Sequence, residues 1–415
     1  MGRLKHSNDP ELEWVVQKYG GTSIGKYAFQ WRAPRHGRHN TWLLVSIDKS
    51  TRLFGMKQIQ STGDTDNSEY RLIDIFNAFE AARVRGVQHS DSLAALRTSL
   101  DVIIQEHMTA TAPSLGSKTC RDRLAERLSL QGQATVSAVA EALTLSDYDY
   151  DLVQDRLISL GEKLSCLSLL AILQDLGVEA EYVNLSTILP RGPLAVRAGN
   201  AAAYAELSTA IAARLLACGP RVPVITGFFG HNSSGGMLAS EVGRGYTDLC
   251  AALCAVGLGA AELQIWKEVD GIMTADPSRV ARAQLIPHMS LAEAAALTQH
   301  GSEVVHALAI RHVAAAPTAI ALSIRNVKRP LALGTIVRRA DDKCESSYTD
   351  SDTDCASLKF GATFCRAITA KDDACILHLT IEQADDSGCI SCVVPSPDTL
   401  RAMNLLHGRL CLLRD

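Results

Sequence analysis

The sequence predicts a layered α/β protein with a mainly parallel sheet. Short apolar runs rich in β-branched residues alternate with longer helical patterns along most of the chain. Two of these runs end in glycine turns that lead into helical patterns, at Lys18-Tyr-Gly-Gly-Thr-Ser23 and between Val222 and Asp248. Ligands of open α/β sheets bind at the carboxyl ends of strands, so both turns are candidate site loops.

The elements follow from hydrophobic periodicity, taken in chain order. Strands are predicted at 14–17, 41–46, 177–185, from 222, 262–266, 319–325, 374–381 and 389–394. Helical patterns are predicted over 68–176, 249–258, 290–299, 302–315 and 397–413. The basic stretch 31–40, with Pro34 and Gly37, predicts a loop. Segment 338–357 is rich in Asp and Ser and predicts a linker.

Composition narrows the class of protein. The 415 residues are 47% hydrophobic and carry a net charge of −4, as in an ordinary soluble globular protein, so neither nucleic acid nor a membrane is an expected partner. We expect no membrane-spanning segment and no secretory signal peptide. The 12 cysteines do not form the paired ligand sets of a metal site; Cys250 and Cys254 are expected to be buried free thiols in a reducing cytoplasm.

The second glycine turn carries the residue types of an anion site. Backbone N–H groups and the helix dipole would converge after the strand, where Gly243 and Gly245 flank Arg244. Arg244 suits a carboxylate or phosphate, and Asp248 adds a carboxylate where such an anion would need a metal or an orienting acceptor. A plain strand-to-helix turn would not need this set of residues together.

Two such turns, one of them with Lys18, favour phosphoryl transfer. That reaction needs positive charge, in-line geometry and Mg²⁺ rather than covalent help from the protein. The sequence contains neither a P-loop motif nor a protein-kinase catalytic loop. The residues alone therefore predict a nucleotide-dependent phosphotransferase of another fold.

The chain carries an ordered series of longer motifs: Lys18-Tyr-Gly-Gly-Thr-Ser23, Leu160-Gly-Glu-Lys-Leu-Ser165, Thr226-Gly-Phe-Phe-Gly230, Gly243-Arg-Gly-Tyr-Thr-Asp248, Trp266-Lys-Glu-Val-Asp-Gly-Ile272, Gly301-Ser-Glu-Val-Val-His306 and Ile324-Arg-Asn-Val327. In this order they resemble the motifs of the aspartate kinases of fungal type. The resemblance implies an amino-acid kinase-type αβα sandwich over 14–337. It also implies ATP-dependent phosphorylation of the β-carboxylate of L-aspartate, the first step towards homoserine, threonine and methionine.

The resemblance also implies roles for individual residues. Lys18 and Asp248 would be catalytic. Aspartate would be bound by Ser46, Ser50, Glu162, Arg244 and Thr247. ATP with Mg²⁺ would be bound by Lys18, Tyr19, Gly20, Gly21, Thr22, Lys267, Glu268, Met273 and Arg279. From pattern alone, Glu162 and Lys163 could equally be a surface charge pair.

The C-terminal part departs most from the family pattern. Residues 358–415 resemble a small α+β remnant of the paired ACT domains, so we expect weak threonine feedback and a less certain homodimer. The substrate loop is shortened to Val45–Leu53. An alternative is therefore a non-catalytic paralogue that binds nucleotide or a partner. A kinase for glutamate-like substrates is disfavoured by Gly243-Arg-Gly-Tyr-Thr-Asp248.

Overall fold

The computed structural model of the chain describes residues 8, 12–19, 39–46, 90–144, 150–186, 188, 201–229, 246–299, 305–339, 364–370, 376–382, 387–393 and 399–408. The chain forms two compact units, of which the first ends at Ala260 and the second begins at Ala261. Within the described ranges, no helix is both long and apolar enough to cross a bilayer.

The first unit alternates strands with helices. Its described elements are β1 (Glu13–Tyr19), β2 (His39–Ser46), α1 (Ser90–Thr111), α2 (Lys118–Thr144), α3 (Tyr150–Asp175), β3 (Ala180–Leu185), α4 (Ala201–Leu216), β4 (Val222–Phe229) and α5 (Tyr246–Leu258). A short 3₁₀ turn, Ala112–Ser114, follows α1.

The four strands of the first unit form a parallel sheet in the order β3-β4-β2-β1. Tyr19 is in register with Ser46, and Ser46 with Thr226. The carboxyl ends of β1, β2 and β4 therefore meet at one edge of the sheet. Side chains from these strand ends can act together there.

Helices pack on this sheet through apolar faces. Leucines of α1, α2 and α3 share a core with Val222 and Val224 of β4. Helix α5 is buried at every residue from Tyr246 to Ala255, as expected for a helix that is apolar on all sides and packs against β1, β2, β4 and α4. The start of α5 is thereby fixed against the strand ends.

The second unit contains a mixed sheet and a smaller antiparallel sheet. Its described elements are β5 (Glu262–Lys267), β6 (His288–Ser290), α6 (Leu291–Gln299), α7 (Ala307–Ala315), β7 (Ala321–Asn326), β8 (Thr335–Arg338), β9 (Phe364–Ala370), β10 (Ile376–Glu382), β11 (Ser387–Val393) and α8 (Thr399–Leu406). The first four strands follow the order β5-β7-β8-β6, in which only β7 and β8 pair antiparallel. The last three follow the order β11-β10-β9.

The predicted fold class, an α/β protein with a mainly parallel sheet, is confirmed. The strands predicted near 14–17, 262–266 and 319–325 are present within one or two residues of those bounds. The sequence analysis did not predict four elements: α4, β6, β8 and β9. Strands β6 and β8 have three and four residues, too few to show a period. Helix α4 does bury Tyr204, Leu207, Ile211 and Leu215 at helical spacing, a signal that could have revealed it.

Two predicted segments lie wholly or mostly outside the described residues. The predicted helical stretch 68–89 and most of the basic loop lie outside the described residues; His39 and Asn40 of that loop belong to β2. The division into 14–337, 338–357 and 358–415 stays a prediction.

Candidate active site

The centre of the candidate site is an ion pair between Lys18 and Asp248. Lys18 lies at the end of β1, after the buried Val15 and Val16. Its Nζ lies 2.7 Å from Oδ1 of Asp248, and the two side chains are 6% and 4% exposed. Asp248 stands in the first turn of α5, where a carboxylate also complements the helix dipole. The candidate site thus contains a buried ion pair at the end of β1.

Glu162 and Thr247 converge on Gly227 of β4. A Cβ atom placed on Gly227 would lie 1.5 Å from Cγ2 of Thr247 and 3.3 Å from Oε2 of Glu162. Glu162 is 1% exposed, so the interpretation of Glu162 and Lys163 as a surface pair is wrong for Glu162. A buried carboxylate from α3 and a threonine from α5 therefore meet at the end of β4.

Two cysteine thiols tie the helices to β4 just before Gly227. The Cys166 thiol in α3 donates to the carbonyl of Ile225 at 3.2 Å. The Cys250 thiol in α5 donates to the carbonyl of Thr226 at 3.9 Å. Burial raises the pKa of the Cys250 thiol, and neighbouring Cys254 raises it further, so Cys250 stays protonated and able to donate.

An aromatic contact fixes the other side of Gly227. The Tyr246 hydroxyl, at the start of α5, donates to the carbonyl of Phe229. The two rings stack with centroids 4.5 Å apart and planes at 23°.

The prediction that Cys250 and Cys254 are buried free thiols is confirmed. The roles of Cys166, Gly227 and Tyr246 were not predicted, although Thr226-Gly-Phe-Phe-Gly230 marked the strand end.

Tyr182 of β3 is a further neighbour that the sequence did not reveal. Burial raises the pKa of the Tyr182 hydroxyl, and charge on Cys166 and Glu162 would raise it further. Tyr182 therefore stays neutral beside the carboxylate of Glu162.

Other predicted site residues of the first unit are placed only in part. Ser46 ends β2 in register with Tyr19 and Thr226, so its backbone lies at the same sheet edge as Lys18. The Tyr19 hydroxyl donates to Oε1 of Gln17 at 3.0 Å, and its ring packs against the core of α1–α3. Gly20, Gly21, Thr22, Ser50 and Arg244 lie outside the described residues.

The predicted nucleotide residues of the second unit follow β5. Lys267 ends that strand, and Oε2 of Glu268 pairs with Nζ of Lys328 at 2.9 Å. Met273 forms a β-bridge with Leu285. Nε of Arg279 lies 4.0 Å from Oδ2 of Asp276. Met273 and Arg279 thus belong to one turn-rich stretch, which we term the 272–286 segment.

C-terminal elements hold the 272–286 segment in place. Ile368 of β9 donates its backbone N–H to the carbonyl of Thr274 at 2.9 Å. Oγ1 of Thr274 lies 2.8 Å from Nε2 of His407, and the Asn404 amide donates to the carbonyl of Arg279 at 3.1 Å. A small core made of Ala275, Val280, Ile368 and Met403 lies between them. Residues more than 80 positions apart in sequence therefore support one another in this unit.

Comparisons with known proteins agree with this fold. The model of the amino acid kinase family matches residues 88–323. An aspartate kinase of Gibberella moniliformis is 35% identical over 381 residues, covering 88% of this chain and 71% of that protein. The aspartokinase of Saccharomyces cerevisiae is 34% identical over 395 residues, covering 90% of this chain and 68% of that protein. The aspartokinase of Schizosaccharomyces pombe is 35% identical, but the chain spans only 59% of its length.

The fold has a solved counterpart. Escherichia coli aspartokinase III, crystallised with lysine and aspartate, aligns with a TM-score of 0.62 at 18% identity, covering 95% of this chain and 99% of that one. The match to the family model, which spans more than half of the chain, places the chain in the amino acid kinase family. Within that family it belongs to the aspartate kinases.

Proposed function

We propose that the protein is an aspartate kinase that transfers the γ-phosphoryl group of ATP to the β-carboxylate of L-aspartate. The products are 4-phospho-L-aspartate and ADP. The observation that carries the proposal is the buried ion pair between Lys18 and Asp248, at the carboxyl end of β1, in a chain 35% identical to an aspartate kinase. A mainly parallel α/β sheet positions ligands at that edge.

The reaction asks for charge stabilisation rather than proton transfer. The β-carboxylate of aspartate has an ordinary pKa near 4, so it is already a nucleophile at neutral pH and needs no general base. One of its oxygens forms the new bond to phosphorus while the bond to the ADP oxygen breaks. Negative charge then spreads over the transferring group, and a buried ammonium such as that of Lys18 stabilises it.

Asp248 keeps Lys18 in position before the nucleotide binds. Held at 2.7 Å in a buried site, the lysine needs little rearrangement when a phosphate arrives. ATP with Mg²⁺ is the proposed donor; the metal offsets phosphate charge and polarises the transferred group. The ammonium group of Lys18 suits the phosphates of such a ligand, and the carboxylate of Asp248 suits its metal ion.

Glu162 and Thr247 form the proposed acceptor side. Aspartate carries an ammonium group between two carboxylates, and a carboxylate buried at 1% exposure suits that ammonium. Thr247 offers a hydroxyl beside it. We propose that Arg244, with Ser46 and Ser50, binds the substrate carboxylates.

The deciding experiment traps the acyl phosphate with hydroxylamine in the presence of Mg·ATP and aspartate. Lys18→Ala and Asp248→Ala should each lower kcat by at least about 10²–10³-fold, the usual loss when one charge-stabilising group is removed. Lys118→Ala is a matched control, since Lys118 also pairs with an aspartate, Asp122, at 2.7 Å but is 82% exposed. It should retain full activity.

Two results would count against the proposal. Full activity in Lys18→Ala would remove Lys18 from the reaction. No hydroxamate from the unaltered protein, with nucleotide binding retained, would favour the non-catalytic paralogue. That paralogue is not favoured by the comparisons, which match named aspartate kinases over most of the chain.

Regulation, assembly and compartment remain predictions. Weak threonine feedback is tested by adding millimolar threonine to the same assay. A homodimer is tested by light scattering, and a cytoplasmic location by fractionation.

A further inference from the structure

We infer that Gly227 is a positioning residue that sets where the acceptor-side groups stand. The inference rests on the proposed function and deepens it. At Gly227 a single methyl group would overlap Cγ2 of Thr247, at 1.5 Å, and approach Cβ of Thr247 at 2.9 Å and Oε2 of Glu162 at 3.3 Å. Distances under 3 Å are far inside van der Waals contact, so something must move.

Contacts on both sides of Gly227 restrain the strand against moving away from that methyl group. On one side of Gly227, the thiols of Cys166 and Cys250 hold the carbonyls of Ile225 and Thr226. On the other side, the Tyr246 hydroxyl holds the carbonyl of Phe229. Both cysteines are fully buried. Close-packed interiors transmit such a displacement rather than absorb it.

The two helices are also fixed. Glu162 stands between Leu160 and Leu164 of α3, both fully buried in the core. Thr247 belongs to the fully buried part of α5. The response with the least disruption is therefore rotation of the Thr247 side chain, which removes the overlap with Cγ2, together with a small local shift that relieves the 2.9 Å approach to Cβ. Both movements displace the Thr247 hydroxyl.

Lys18 lies two strands away from Gly227 in the sheet. It lies on β1, and β2 separates β1 from β4 in the strand order. Its partner Asp248 can stay in place while the side chain of Thr247 rotates. An added methyl group at residue 227 should therefore weaken acceptor binding and leave nucleotide binding intact.

The test measures KM for aspartate and for ATP in Gly227→Ala by the hydroxamate assay. We expect KM for aspartate to rise by about tenfold or more, with KM for ATP within about twofold, the signature of lost ground-state binding on one side. Gly116→Ala is the matched control, because a Cβ there meets its nearest atom at an ordinary 3.5 Å. It should behave like the unaltered protein.

A second variant tests the cause. Thr247→Ser removes the Cγ2 atom of the 1.5 Å overlap, keeps the hydroxyl and leaves only the milder 2.9 Å approach to Cβ. Adding Gly227→Ala to Thr247→Ser should therefore raise KM for aspartate less than adding it to the unaltered protein. The inference is overturned if Gly227→Ala leaves KM for aspartate unchanged, raises both KM values alike, or costs as much in the Thr247→Ser background. If Gly227→Ala does not fold, the double variant decides: it should fold, with KM for aspartate close to that of Thr247→Ser, and a double variant that also fails to fold overturns the inference.

The two proposals fail in distinguishable ways. Absence of hydroxamate from the unaltered protein and from Gly116→Ala would defeat the proposed function. In that case the close approach of residue 227 to Thr247 is tested by the melting temperatures of four proteins: the unaltered protein, Gly227→Ala, Thr247→Ser and the double variant. A loss in Gly227→Ala that Thr247→Ser does not relieve would defeat the contact.

Discussion

The strand-end site of the first unit and the 272–286 segment of the second unit are held by different physical means. Around Lys18, the elements themselves pack closely, and Gly227 leaves no space for one methyl group. Around Thr274, hydroxyl and amide groups tie polar turns to a C-terminal helix and strand. Tight packing fixes position to fractions of an ångström, whereas turns held by hydrogen bonds depend on the segments that supply the partners.

The difference teaches where each region is vulnerable. The first region should lose stability or ligand binding when a buried charge loses its partner or when a larger side chain is introduced. The second region should lose them when the C-terminal elements that support it are weakened. Variants that separate these two modes of failure sharpen the comparison.

The largest effect is expected at the buried ion pair. Asp248→Ala leaves Lys18 as an uncompensated buried cation, which should lower the free energy of unfolding by about 3–5 kcal/mol. Asp122→Ala breaks the exposed pair with Lys118 and should cost less than about 1 kcal/mol, because solvent screens it. Urea denaturation measures both. Equal losses in the two variants would show that burial does not distinguish the pairs.

A smaller effect is expected in the second region. Met403 is 1% exposed in the core of four residues beneath the 272–286 segment. Met403→Ala should lower the free energy of unfolding by about 2 kcal/mol, the low end for a buried methionine, because this core is small. It should also raise KM for ATP while KM for aspartate is maintained, because the segment carries the proposed nucleotide residues.

Leu405→Ala is the control for Met403→Ala. It alters the same helix at a side chain that is 53% exposed. Stability and KM values should remain near those of the unaltered protein. If Met403→Ala raised KM for aspartate instead, the C-terminal elements would support the acceptor side rather than the 272–286 segment.

The sequence predicted the first region better than the second, for physical reasons. Lys18 stands at the end of a strand and Asp248 in the first turn of a helix, each within a local glycine-turn motif, so a short window of sequence makes both of them candidates. The contact between Gly227 and Thr247 depends on how β4 packs against α5, which no periodicity encodes. Thr274 and His407 lie 133 residues apart, in segments whose own patterns are weak. Long-range contacts of this kind become visible only in the folded chain.

The smallest effect concerns the pH dependence of the second region. Burial, with the nearby Arg282, lowers the pKa of His407 below its ordinary value near 6.5. Between the folded and the unfolded pKa, the unfolded chain binds more protons than the folded one, so stability rises with pH through that window. Below the window both states are protonated, and the full penalty of a charged His407 that is buried beside Arg282 applies; above the window His407 is neutral in both states and the penalty disappears.

His407→Gln should flatten that dependence. Glutamine can still hydrogen-bond to Thr274 but does not titrate, so the free energy of unfolding should fall less between pH 7 and pH 5 than in the unaltered protein. A single proton limits the difference in slope to about 1.4 kcal/mol per pH unit. His312, whose pKa burial also lowers, is present in both proteins and cancels in the comparison. Parallel pH profiles would mean that His407 does not link protonation to the contact with Thr274.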